Sequence, residues 1–114
     1  MCNIPKLEEL ETKSEYLAAF TYMWQWLSQE TLKRGYKVKK HTFFKEHNIK
    51  NIPEAGCYLC EYVSNEENGC KECPVYWNRG KCLFGEYGQW ANCDTNDYKK
   101  AAKIAEKISK LDEK

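Results

Sequence analysis

"TKSEYLAAFTYMWQWLSQETLKRG", residues 12–35, decides how the rest of the chain must fold. Thr12 followed by Glu15 has the form of a capping box, in which side chain and backbone at a helix start satisfy each other's free donors. From there Tyr16, Phe20, Met23, Trp24 and Leu27 recur at three- and four-residue spacing until Gly35, a natural stop. The spacing predicts one amphipathic helix over residues 13–34. Those five side chains form a single stripe, whereas Tyr22 and Trp26, themselves one turn apart, project from another flank. Two readings of that flank compete: burial against the rest of a small domain, as is usual for large aromatics, or an exposed pair on which a partner docks.

The apolar stripe requires a second layer, and the other end of the chain offers one. In "DTNDYKKAAKIAEKISKLDEK", residues 94–114, Asp94, Thr95 or Asn96 can cap, and Ala101, Ile104, Ala105, Ile108 and Leu111 line one face. A helix over 96–112 is predicted. Lys99, Lys100, Lys103, Lys107 and Lys110 gather on its opposite side, relieved only by Glu106. Such a face is ordinarily solvated, and lysines in the last turns also suit the helix dipole. No internal repeat interrupts the chain, and its 114 residues fit one domain.

Charge is uneven between these ends. Net charge is only +1, yet residues 1–30 carry two basic and five acidic groups, and residues 31–50 carry seven basic and one. The basic segment reads "KRGYKVKKHTFFKEHNIKNIP", residues 33–53. Thr42 can cap a short helix through Phe43, Phe44 and His47, and Pro53 ends it. Lys33, Arg34, Lys37, Lys39 and Lys40 around Tyr36 and the Phe43–Phe44 pair suit phosphate contacts with base stacking. The plainer reading is a solvated linker whose phenylalanines fill the core.

Five of the seven cysteines lie in "CYLCEYVSNEENGCKECPVYWNRGKC", residues 57–82. No apolar run is long enough to span a bilayer, and the start "MCNIPKLEELETK" lacks the layout of a secretion signal, so a cytoplasmic protein is expected. That compartment is reducing, and an odd thiol count leaves one unpaired, so metal ligation is favoured over disulfides. Cys57-x2-Cys60 and Cys70-x2-Cys73 form two knuckles that can bring four thiolates to a tetrahedron, for which zinc is the natural occupant. Ferredoxin-type spacings are not matched. Cys82 is a fifth candidate, so the expected ligands are four of Cys57, Cys60, Cys70, Cys73 and Cys82. Cys2 reads as a free terminal thiol and Cys93 as a core residue, while His41 and His47 are not needed. A closed thiolate sphere supports structure and leaves no place for a catalytic water.

No catalytic constellation accompanies these residues. The two histidines lack HExxH spacing, no His-x-Glu precedes a Pro-Cys-x-x-Cys, the CxxC pairs lack a βαβ setting, and no Gly-rich phosphate loop occurs. A non-catalytic protein is expected.

"CYLCEY", "CKECP", Cys82 and "YGQW", behind a tryptophan-rich "YMWQWL", resemble small phage and prophage cysteine-rich proteins with CxxCEY and CxxCP knuckles. The resemblance covers about half the chain. It implies a viral origin, a metal-stapled helical body, the five cysteines acting as a unit, and a binding role during infection.

The expected architecture is therefore mainly α: a single domain over residues 1–114, its long N- and C-terminal helices packed around a zinc-stapled cysteine module at 57–82. The expected function is a viral accessory protein that binds a host protein or defence complex through Tyr22 and Trp26 or through Lys37, Lys39 and Lys40. The alternative is a nucleic-acid-binding module using the basic segment 33–50 and the lysine face of the last helix.

Overall fold

The computed structural model describes residues 7–50, Tyr58 and residues 85–111. Among these residues all regular structure is helical, which agrees with the mainly α expectation. The cysteine module at 57–82 lies outside the described residues except for Tyr58.

Helix α1 spans Lys13–Arg34, the bounds its caps predict. Thr12 Oγ1 accepts from the Glu15 N–H at 3.2 Å, and Glu15 Oε1 accepts in return from the Thr12 N–H at 3.1 Å. At the other end Gly35 takes the left-handed conformation with φ 75°, and its N–H reaches the Thr31 carbonyl at 3.0 Å. A Cβ at Gly35 would meet nothing within 4 Å, so glycine is favoured there by backbone conformation and not by space. Ala19, Phe20, Met23, Trp24 and Leu27 are buried along one face of α1.

Helix α2, Lys40–Glu46, begins at once after a short connection. The buried Thr31 side chain explains its entry: Thr31 Oγ1 accepts from the Val38 N–H at 3.1 Å, pinning the chain beneath the end of α1. The start comes earlier than a Thr42 cap predicts, with Lys39 at the N-cap and no side-chain cap.

Helix α3, Glu86–Ala91, and helix α4, Tyr98–Ser109, complete the described fold. The last helix is shorter at both ends than the predicted 96–112. It packs chiefly against α1 and then α3. Ser28 Oγ donates to the Ala102 carbonyl at 2.7 Å, and the Lys37 N–H donates to the Thr95 carbonyl at 3.1 Å. Rising numbers from α1 into the connection after it thus meet falling numbers from α4 into the segment before it, so the two helices run antiparallel. Small residues on the α4 inner face, Ala101, Ala102 and Ala105, let the axes approach.

Trp24 stands at the centre of this core. Trp90 of α3 meets it edge-on at 4.9 Å between ring centroids, with Tyr87 at 6.0 Å and Phe20 at 6.4 Å. Such edge-to-face pairs add to area burial. Truncating a buried tryptophan of this kind costs about 3–5 kcal/mol.

Candidate interaction surface

Tyr22 and Trp26 are half-buried, and the structure gives them internal work. Both pack on α2. Tyr22 lies 5.9 Å from the Phe43 ring and 5.6 Å from the His47 ring; Trp26 lies 5.4 Å and 5.2 Å from the same two. His47 Nδ1 is 2.9 Å from the Phe43 carbonyl and its Nε2 is 3.1 Å from Tyr22 Oη. A carbonyl only accepts, so Nδ1 carries the hydrogen, and in the neutral ring Nε2 accepts from the tyrosine hydroxyl. Of the two readings of this flank, burial against a neighbouring element describes it better than an open docking pair.

Arg34 closes the same junction from above. Its Nη1 and Nη2 each donate to Glu46 at 2.7 Å, Nη2 also reaches Glu30 at 3.0 Å, and the guanidinium stands 5.5 Å from the Trp26 ring. The hydrogen bonds from Arg34 hold the Glu46 carboxyl below the usual glutamate range. This guanidinium is already committed to carboxylates and is no ready phosphate contact.

The lysines expected at the partner surface part company. Lys37 is only 7 % exposed. Its Nζ donates to the carbonyls of Cys93 at 3.1 Å and Ala91 at 3.3 Å and lies 4.4 Å over the Trp90 ring. Those carbonyls are at the C-terminal end of α3, where a cation is favoured. Burial pushes the Lys37 amine below the ordinary lysine value. Lys40 Nζ donates to Tyr87 Oη at 2.9 Å and also lies near that ring. Lys37 and Lys40 together clasp α3 to the start of α2. Lys39, between them in sequence, is exposed. Phe43 and Phe44 are buried, which removes them as base-stacking groups.

A different set faces solvent. Lys99, Lys100, Lys103, Lys107 and Lys110 are all exposed on α4. Glu106 engages Lys110 at 2.8 Å, whereas Lys99, Lys100, Lys103 and Lys107 form no ion pair among the described residues. Lys99, Lys103 and Lys107 follow one another at four-residue steps, which sets a rung about every 6 Å along the helix. The large apolar side chains left exposed among the described residues are Leu32, at 55 %, and Tyr36, at 45 %. The Lys37–Thr95 hydrogen bond brings the backbone beside Tyr36 to the N-terminal end of this lysine ladder. Helical spacing makes the ladder legible in the sequence, which carries no signal for which of the aromatics in 22–44 stays outside.

All five expected zinc ligands, Cys57, Cys60, Cys70, Cys73 and Cys82, lie outside the described residues, as does Cys2. Among the described residues no group of three or more His, Cys, Asp or Glu side chains is placed to hold a metal. Tyr58, which follows Cys57, is buried; its hydroxyl donates to the Leu7 carbonyl at 3.0 Å and its ring lies 6.1 Å from Phe44. Cys93 is half-buried against the core, its thiol 3.3 Å from the Gln89 carbonyl. Glu86 is an unforeseen feature: it is buried, and its Oε2 has no hydrogen-bond partner among the described residues. Among the described residues no helix is long and apolar enough to cross a membrane.

No protein-family model, no curated protein and no solved structure matches this chain.

Proposed function

We propose that this chain is a non-catalytic binding protein that holds a nucleic-acid backbone along the outer face of α4. One observation carries the reading: Lys99, Lys100, Lys103 and Lys107 are exposed and, among the described residues, form no ion pair, on a face where those residues place no apolar group. Protein interfaces are depleted in lysine at their centres, whereas phosphate contacts are made of it. The basic segment contributes less than its composition suggests, since Lys37, Lys40, Arg34, Phe43 and Phe44 serve internal contacts; exposed Lys33, Lys39, Lys45 and Lys50 remain.

A structural zinc ion held by four of Cys57, Cys60, Cys70, Cys73 and Cys82 is part of the proposal. It is supported by the doubled CxxC spacing and by an all-thiolate donor set. The proposal sets this activity in the cytoplasm of an infected cell, a reading supported by the resemblance of "CYLCEY" and "CKECP" to phage proteins.

The test is affinity against salt. Binding to a short oligonucleotide is expected to fall steeply between low and physiological salt, and Lys99→Glu with Lys103→Glu to reduce it by more than tenfold while helicity is retained. Salt-insensitive binding, or binding unchanged by the two reversals, rejects the reading.

A second reading is favoured by Leu32, whose exposed aliphatic side chain has little to meet on a phosphate backbone. In it the chain docks on a host protein or defence complex. Leu32→Asp then breaks capture of that protein and leaves oligonucleotide binding as it was.

A further inference from the structure

Resting on the nucleic-acid reading, we infer that the surface is built for a single strand, with Tyr36 stacking on one unpaired base where the lysine ladder ends. Three observations meet at this point. Tyr36 is an aromatic ring left 45 % exposed, its hydroxyl beside the Arg34 guanidinium, in a chain whose other described aromatics are buried or half-buried. The hydrogen bond from the Lys37 N–H to the Thr95 carbonyl, at 3.1 Å, sets the adjoining backbone beside the residues that lead into α4. From that corner Lys99, Lys103 and Lys107 run away along the helix, and exposed Lys39 follows Tyr36 three residues on in the chain.

The combination is what a flexible strand requires. Its phosphates follow a positively charged track, and any base can lie on an aromatic face, so recognition is tolerant of sequence. A duplex meets the lysines equally well, but its bases stay stacked on one another and leave Tyr36 without a ring to cover. Discrimination between the two forms therefore falls on Tyr36, and the lysines contribute affinity to both. Asp94 and Asp97, exposed at the same end of α4, repel phosphate and weaken the binding of strand and duplex alike.

The experiment uses the full chain as purified, a fluorescein-labelled oligothymidylate of about twelve nucleotides, and a duplex of equal length, read by anisotropy at two salt concentrations. The strand is expected to bind more tightly than the duplex. Tyr36→Ala is expected to weaken the strand about tenfold with no effect on the duplex, Tyr36→Phe to retain wild-type binding, and Asp94→Asn to tighten both. Tyr36→Leu, which keeps bulk and removes the π-face, is expected to behave as the alanine variant. If Tyr36→Ala leaves oligothymidylate affinity unchanged while Lys99→Glu with Lys103→Glu removes it, the stacking inference is overturned and the backbone reading stands. If the wild-type chain binds neither probe, both fall. Equal affinity for strand and duplex also overturns the stacking inference.

Discussion

Lys37 and Lys39 show how far a residue's role is set by what folds against it. Both are lysines in one basic run, and nothing local distinguishes them. Lys37 is buried because its stem lies along Trp90 and its amine caps the carbonyls of Ala91 and Cys93, all contributed from far along the chain. Its lowered pKa means that desolvation outweighs the nearby attractions, so packing of the stem holds it more than charge does. Lys37→Met is therefore expected to change unfolding free energy by less than about 1 kcal/mol, and Lys37→Glu to cost about 3 kcal/mol or more by burying an unmatched anion beside carbonyls. The sign with pH follows. The unfolded lysine titrates near 10.4, above the folded one, so between the two values the unfolded state binds more protons and stability rises with pH. Urea midpoints measured on the alkaline side should show that rise in the wild type and not in Lys37→Met. A Lys37→Met protein as unstable as Lys37→Glu contradicts this account.

Among the elements, legibility followed the strength of local signals. Both ends of α1 were readable because a capping box and a left-handed glycine act within a turn of the boundary. The start of α2 was not, because it is set by the tertiary bond between Thr31 Oγ1 and the Val38 N–H. Helix α3 escaped because it is six residues long with Gly88 inside it, too short to display a period. With seven residues α2 cannot persist alone, so its contacts with α1 keep it helical. The Arg34–Glu46 pair is one of these and supplies a test. The Glu46 pKa is depressed by Arg34, so this contribution is present above the unfolded glutamate value of about 4.3 and is lost as pH falls through the folded value. Amide exchange in α2 should accelerate over that acid range before exchange in α1 does. Glu46→Gln should bring the faster α2 exchange to neutral pH and remove its acid dependence. If the wild type and Glu46→Gln exchange alike at neutral pH, the pair is a surface contact of no consequence.

At the scale of the molecule, the ladder on α4 was legible because an apolar stripe on one face fixes what the opposite face must be. The fate of Tyr22 and Trp26 was not, since the covering residues Phe43 and His47 lie in and just after another helix. The proposed zinc staple joins the same body at Tyr58, whose neighbour in sequence is Cys57. Tyr58 ties the Leu7 segment and Phe44 of α2 together, and burial raises its hydroxyl pKa far above that of an ordinary phenol. Zinc binding in small modules is worth on the order of 10–16 kcal/mol of apparent free energy, as large as the stability of a whole domain. The antiparallel packing of α1 on α4 with Trp24 and Trp90 is made by described residues outside 57–82, so the two regions should respond unequally to metal loss. Elemental analysis is expected to find about one zinc per chain. Stripping it with a strong chelator should lower the thermal midpoint and expose Tyr58 to titration near the ordinary phenol range of about 10, while far-UV circular dichroism retains most of its helical signal. Adding zinc back should restore both. A chain that purifies without metal, or whose Tyr58 titration and thermal midpoint are indifferent to the chelator, removes zinc from the account and leaves the helical body to stand on its aromatic core alone.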